Sequence, residues 1–253
     1  MNGREGSGRP SEEDRKRFED ALGAICPNGN FEVDSQGNVT GKEHFCEDYT
    51  LPSEGIVRDK QMAAGYKLIE DEDQRDACKL ICEIMTSTKT VRVNISTSGE
   101  YKPEVKNPRE RVGDHCYPDI LGDEGEENAK KHGPGLGGWI RWQPKPGSRF
   151  WGGTKESPIE IRLSGARALA HELGHAHRAL KGRAKLDPLL PNGFGRYNDG
   201  ARRDERENIQ EWENKIARVL RKNDGTTDDR PRTTTSSSDP KDSKPPAGAI
   251  FWD

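Results

Sequence analysis

The sequence contains few apolar residues and no long hydrophobic run. Hydrophobic residues make up 30% of the 253 positions and aromatic residues only 6%. No stretch approaches the roughly 20 apolar residues that a membrane helix needs, so we expect no membrane span. The chain is long enough to bury a core of its own, but its polar composition predicts that long loops and tails surround this core.

The sequence also lacks an excess of charge of one sign. Lys and Arg total 41 and Asp and Glu total 44, which gives a net charge of −3. Proteins that bind nucleic acid or anionic lipid usually carry a basic excess. We therefore expect neither partner, and we expect a monomer. The first ten residues have no apolar segment of the kind found in secretory signal peptides. We expect secretion or delivery into a target cell without a classical signal peptide in this chain, either by another route or as a domain of a longer secreted chain.

Cysteine is scarce and odd in number. The five cysteines are Cys26, Cys46, Cys78, Cys82 and Cys116. The third and fourth are four residues apart, which is typical of a buried helix face. Two alternatives stay open. One is a disulfide such as Cys26–Cys46 in an oxidising compartment. The other is a structural zinc site that combines these two cysteines with His44 or with the His115-Cys116 pair.

One motif carries recognisable chemistry. The pattern H-E-x-x-H occurs at His171, Glu172 and His175. Residues four apart share one face of a helix, so the two imidazoles can supply two of the three protein ligands of a catalytic zinc ion. Glu172 lies about 100° around the axis from His171, where it can accept a proton from water that attacks a carbonyl. His177 lies about 200° from His175, so we expect it to face away and to be hydrogen-bonded or partly buried.

The third metal ligand is expected from the acidic stretch after residue 202. We predict a helix of about 18 residues there, whose apolar stripe comprises Ile209, Trp212, Ile216, Val219 and Leu220. Glu205 is the predicted ligand because it shares the face of this stripe near the helix start. Glu207 lies about 200° from Glu205, and it remains an alternative together with Glu211 and Asp204.

The remaining elements are short helices and strands. Helices are predicted at 11–25, 57–67, 74–85 and 166–180, with Ser11 and Ser164 as N-caps of the first and last. Strands are predicted at 31–40 (a hairpin that turns at Gly37), 90–96, 139–142 and 157–163. Residues 148–154 are predicted to be a connecting loop. Residues 233–253 are predicted to be a disordered tail, because they are rich in Thr, Ser, Pro and Lys.

These elements predict an α+β, zincin-like fold. A small sheet packs on the active-site helix, and a later helix completes the metal site. We divide the chain into an N-terminal helix and hairpin segment at 1–56, a zinc metalloprotease domain at 57–232 and the tail. Tyr197 or Arg196, in the loop before the acidic helix, is the candidate to stabilise an oxyanion.

Residues 60–232 resemble the NleD-like family of bacterial effector and toxin zinc metalloproteases. The matching features are a helix ending in a strand at 65–95, a Gly-Gly strand with Trp at 137–142, a Pro-led strand running into H-E-L-x-H-A-H at 171–177, Glu213-Asn214 followed by Arg218, and Gly225 followed by Arg-Pro-Arg at 230–232. The sequence departs from the pattern before Glu213, where Asp204-Glu205 stands in place of two adjacent glutamates.

The resemblance implies one zinc ion, a glutamate base and cleavage of proteins inside a target cell, so the expected partner is a protein substrate. Two other functions stay open on the residues alone. One is a metal-dependent amidase or hydrolase that acts on a non-peptide substrate at the same site. The other is a non-catalytic interaction module.

Overall fold

The computed structural model describes residues 10–41, 46, 71–95, 115–118, 135–144, 149–161, 163–183, 205–224, 230–238 and 244–245. Within these ranges the chain has an α+β fold in which helices pack with small sheets. The predicted fold class is confirmed at this level. None of the described helices has the length and apolar character needed to cross a membrane.

Four long helices lie within the described residues. They are α1 (Glu12–Ile25), α2 (Glu72–Met85), α3 (Gly165–Leu180) and α4, a continuous helical stretch at 205–224. Ser11 and Ser164 cap α1 and α3 as predicted, since each hydroxyl accepts a hydrogen bond from the backbone N–H three residues later. The predicted helix at 57–67 lies outside the described residues.

The described strands form three sheets. In the first, β1 (Glu32–Val33) and β2 (Val39–Thr40) make the predicted hairpin, with Gly37 at a φ of 86°. In the second, β5 (Gly138–Trp142) lies between β3 (Val91–Ile95), which is parallel to it, and β4 (His115–Pro118), which is antiparallel. In the third, β6 (Arg149–Gly153) pairs antiparallel with both β7 (Pro158–Ile161) and β8 (Arg232–Ser238).

The third sheet corrects two predictions. Residues 148–154 were predicted to be a loop, yet β6 is the central strand of this sheet. Residues 233–238 were predicted to be disordered, yet they continue β8. Gly152 permits this pairing, because a Cβ atom there would lie 2.3 Å from the backbone oxygen of Pro231. The polar Thr-Ser sequence of β8 is held by backbone bonds to β6 and by burial of Thr234.

The cysteine pairing also differs from prediction. Cys26 is bonded to Cys78, and Cys46 is bonded to Cys82. The disulfide alternative is therefore confirmed, but its example pairing Cys26–Cys46 is wrong, and neither cysteine is available for a structural zinc site. The prediction that Cys78 and Cys82 lie on a buried helix face is confirmed. Both bonds fasten α2 to segments that precede it in the chain.

The core encloses α3 and ties it to β5. Phe18 of α1 packs against Trp142 of β5, with ring centroids 5.7 Å apart, and both belong to the same buried cluster as Leu169 of α3. The Trp142 indole N–H donates to the backbone oxygen of Gly165, 2.8 Å away, at the start of α3. Near the other end of α3, the N–H of Leu136 donates to Ala179 across 2.9 Å. Contacts at both ends therefore fix α3, which carries the H-E-x-x-H motif, against the second sheet.

α4 lies antiparallel to α2, and ion pairs set its register. The three pairs are Asp71–Lys222, Asp73–Arg218 and Asp76–Lys215. These residues are partly exposed, so each pair contributes little to the free energy of unfolding. The predicted apolar stripe also lies on α4, and all five of its residues are buried. α4 thus presents its acidic N-terminal half to α3 in a defined position.

Candidate metal centre

Three side chains converge between α3 and α4. The candidate ligand atoms of His171, His175 and Glu205 lie within 4.8 Å of one another. One carboxylate oxygen of Glu205, Oε2, lies 2.8 Å from Nε2 of His175 and 3.4 Å from Nε2 of His171. Two imidazole nitrogens and one carboxylate oxygen make a group that could hold a metal ion. The structure brings together the three residues that the sequence indicated as metal ligands.

The other ring nitrogen of His171 is held by a second carboxylate. His171 Nδ1 lies 2.8 Å from Oε2 of Glu213, which is fully buried. The N–H at Nδ1 donates to this carboxylate, so Nε2 is the nitrogen that faces Glu205. In metal sites, a carboxylate bonded to the outer nitrogen of a histidine fixes the tautomer and the ring orientation. Glu213 is therefore placed to orient His171.

A π-helical segment in α4 places Glu213 on the face of Glu205. Residues Ile209–Glu213 are π-helical. Glu213 follows Glu205 by eight residues. In a regular α-helix these eight steps rotate the chain about 80° beyond two full turns, so Glu213 would point away from the direction of Glu205 and from His171. Steps in a π-helix turn by only about 82°, so the chain returns nearly to the direction of Glu205. Regular helix geometry does not bring Glu213 to the face of Glu205, so the sequence offered no reason to predict Glu213 as a residue of the site.

Close contact between α3 and α4 depends on Gly174. A Cβ atom on Gly174 would lie 2.2 Å from Oδ1 of Asn208 and 3.1 Å from Cδ1 of Trp212. Asn208 is fully buried, and its amide donates to the backbone oxygen of His171 across 2.9 Å. Because Gly174, within the H-E-x-x-H motif, has no side chain, α4 can approach α3 closely enough for Glu205 to contact the two histidines.

Two buried arginines of α3 form ion pairs with α4. Arg167 donates from Nε to Glu213 across 3.1 Å. Arg178 pairs with Glu207 at 2.6 Å and with Glu211 at 2.9 Å. These last two glutamates were the alternatives for the third ligand. Both are engaged by Arg178 near the far end of α3, and neither belongs to the candidate metal group. Asp204 lies outside the described residues.

The electrostatics of the group are set by burial and by these pairs. Burial opposes the ionisation of Glu213, but Arg232 and Arg167 outweigh it and hold the pKa of this carboxyl far below its usual range. Burial likewise opposes the ionisation of Glu205, whose pKa the two histidines and Arg232 nevertheless hold well below its ordinary value. Both carboxylates are therefore ionised at neutral pH, which is the state that attracts a cation.

The pKa values of His171 and Glu172 are both raised, but for different reasons. Burial would lower the pKa of His171, but Glu205 and Glu213 outweigh burial and raise it well above its ordinary value. Glu172 is 4% exposed, and burial raises its pKa. A carboxyl whose pKa is shifted towards neutrality is suited to accept and return a proton.

Two further sequence predictions concern residues around the group. His177 faces away from it as predicted, since its Nε2 lies 2.8 Å from Glu83 and its ring packs in a T-shaped arrangement against Trp212. Tyr197 and Arg196, the candidates for oxyanion stabilisation, lie outside the described residues. Arg232 is an additional residue of the site, which sequence analysis noted only within the Arg-Pro-Arg segment.

Comparison with known proteins returned no match: no family model, no curated protein and no solved structure matches this chain.

Proposed function

We propose that the chain is a zinc-dependent metalloendopeptidase with a zincin-like active site on α3. The observation that carries this proposal is the convergence of His171, His175 and Glu205 within 4.8 Å, beside a buried carboxylate, Glu172. Two histidines and one glutamate form the protein ligand set of several zinc peptidases and leave one coordination position open. The proposal thus rests on a donor set together with a candidate proton acceptor.

The residues present fit a zinc ion. The nitrogen of His171 that faces Glu205 is Nε2, because Nδ1 is committed to Glu213. The carboxylates of Glu205 and Glu213 also pair with guanidinium groups, Glu205 with Arg232 and Glu213 with Arg167. A zinc ion in such a site supplies Lewis acidity, which polarises a carbonyl and acidifies water.

Glu172 has the role of general base in this proposal. It follows His171 on α3, and its interactions with His171, His175 and Glu205 place it within the field of the group. It would take a proton from the attacking water and pass it to the leaving amine. Glu213 would hold His171 in orientation, and Asn208 would keep α4 against α3.

The biological setting is part of the proposal. The order of motifs along residues 60–232 supports a bacterial effector or toxin of NleD-like type, with a protein of a target cell as substrate. The two disulfides favour a chain that passes through an oxidising compartment. Secretion or delivery into a target cell is consistent with such passage.

The test compares the wild-type chain with four variants. We expect about one zinc per wild-type chain, and reversible loss of proteolysis on chelation. Glu205→Ala and His171→Ala should lose zinc. Glu172→Gln should retain zinc but lose turnover by ~10²–10⁴-fold, since an amide cannot accept the proton. Glu156→Gln, an exposed residue between β6 and β7, is the control and should behave as wild type.

New N-termini, identified by mass spectrometry after incubation with a protein mixture, would report peptide cleavage. A wild-type chain that binds zinc yet generates no new termini would refute the peptidase and leave the non-peptide hydrolase. A Glu172→Gln variant that cleaves at the wild-type rate would refute the proposed base. Absence of zinc from the wild-type chain would refute the metal centre itself.

A further inference from the structure

Arg232 is the residue at which the C-terminal strand meets the metal centre. It stands at the start of β8, opposite Gly152 of β6, and is 2% exposed. Its guanidinium group lies 4.5 Å from the centroid of the Phe150 ring. A cationic side chain this deeply buried needs several partners to offset the loss of its hydration.

The three nitrogen atoms of Arg232 have different partners. Nε donates to the backbone oxygen of Thr234 across 2.9 Å. Nη1 donates to Oε2 of Glu213 across 3.1 Å, and Nη2 donates to Oε1 of Glu205 across 3.2 Å. One guanidinium fork thus bridges the carboxylate that orients His171 and the carboxylate that faces both histidines.

The two carboxylate oxygens of Glu205 have different partners. Oε1 is bonded to Arg232, while Oε2 is the atom that faces Nε2 of His171 and of His175. A carboxylate held at one oxygen presents the other in a fixed direction. The same guanidinium also separates the charges of Glu205 and Glu213, which would otherwise repel each other in a buried space.

We propose that Arg232 is a positioning residue of the metal centre, which commits Glu205 to ligation through a single oxygen and holds it in register with Glu213. This inference rests on the proposed metal function. It adds that the centre is completed by the C-terminal strand, from outside the two helices that carry the ligands. The planar fork is essential to this role, because a lysine retains the charge but cannot bridge two carboxylates in the same way.

The experiment uses the full chain with Arg232→Gln, Arg232→Lys and the control Arg230→Gln. Arg230 lies in the same segment and donates to the backbone oxygen of Glu160, so the control removes the same charge nearby. Circular dichroism of the metal-free chains checks folding. Competition with a chromophoric chelator gives the Kd for zinc, and the visible spectrum of bound Co²⁺ reports the ligand geometry.

We expect both Arg232 variants to bind zinc at least tenfold more weakly than Arg230→Gln, within the 10–100-fold range typical of residues that support metal ligands. Their Co²⁺ bands should also differ from those of the wild type. A folded Arg232→Gln variant whose Kd lies within tenfold of the control would overturn the inference. A Kd within tenfold of the control for Arg232→Lys would show that charge alone suffices, which also overturns it.

If Arg232→Gln fails to fold, the same threshold applies to Arg232→Lys. If neither variant folds, Arg232 acts on the fold rather than on the metal centre, and the inference is wrong. A wild-type chain that binds no zinc refutes the proposed function and this inference with it. A wild-type chain that binds zinc, with Arg232 variants that bind equally well, refutes this inference alone.

Discussion

Replacing Gly174 by alanine tests whether the contact between α3 and α4 is as close as the structure indicates. The added Cβ would lie 2.2 Å from Oδ1 of Asn208, far inside van der Waals distance. Asn208 is fully buried and bonded to the backbone of His171, so it has little room to move. We expect α4, and Glu205 with it, to be displaced from the histidines.

The magnitude follows from two opposing contributions. Overpacking a buried contact costs about 1–3 kcal/mol, whereas replacing glycine by alanine within a helix gains about 1 kcal/mol. Gly23 provides the matched control, because it lies within α1 and no heavy atom lies within 4 Å of the Cβ that it would acquire. Gly23→Ala should therefore be more stable than wild type, and Gly174→Ala less stable than Gly23→Ala by about 1–3 kcal/mol.

Urea unfolding of metal-free chains, followed by circular dichroism, gives both free energies of unfolding. Both substitutions gain the same helix propensity, so the difference between their free energies of unfolding reports the contact with Asn208 alone. Zinc affinity provides a second reading, since only Gly174→Ala should weaken it. If Gly174→Ala proves as stable as Gly23→Ala and binds zinc equally well, the close approach of the helices is refuted.

Two further predictions concern the C-terminal strand and the response to acid. A chain ending at Arg232 loses the pairing of β8 with β6. Its free energy of unfolding should therefore be at least about 1 kcal/mol lower than that of a chain ending at Ser238, and it should bind zinc more weakly. Equal urea midpoints for the two chains would contradict this prediction. Burial raises the pKa of Glu83, but Lys181 and His177 outweigh burial and hold it below its usual value. The stabilisation by Glu83 is therefore present above about pH 4 and lost as pH falls through the lowered pKa. Glu83→Gln should destabilise the chain at pH 7 by less than about 1 kcal/mol. This difference from wild type should shrink as the pH falls through the lowered pKa of Glu83, and a pH-independent difference would argue against the pairing.

Local signals were sufficient to predict the described helices and the three residues of the candidate metal group. Ser11 and Ser164 satisfy orphan N–H groups within one turn, so the sequence reveals where α1 and α3 begin. The spacing of His171 and His175 needs only the geometry of one helix. The prediction of Glu205 needed one further inference, that an acidic residue on the apolar face of α4 would contact α3. The structure places Glu205 there.

Features that depend on distant contacts were not predictable in this way. The partners of the disulfides follow from the packing of α2, which no spacing of cysteines reveals. β8 has a polar composition, and its order comes from pairing with β6. Glu213 was missed as a site residue because the π-helical segment changes the rotation per residue. Arg232 reaches the site only because that strand is ordered.

The two disulfides enclose overlapping lengths of chain. Cys26–Cys78 spans 52 residues and Cys46–Cys82 spans 36, so every peptide bond between residues 46 and 78 lies inside both loops. A protease that cut once between these positions would yield two fragments joined by two covalent links, separable on a gel only after reduction. After such a cut, the two disulfides alone would keep α1 covalently joined to α3 and α4, the helices of the candidate metal group.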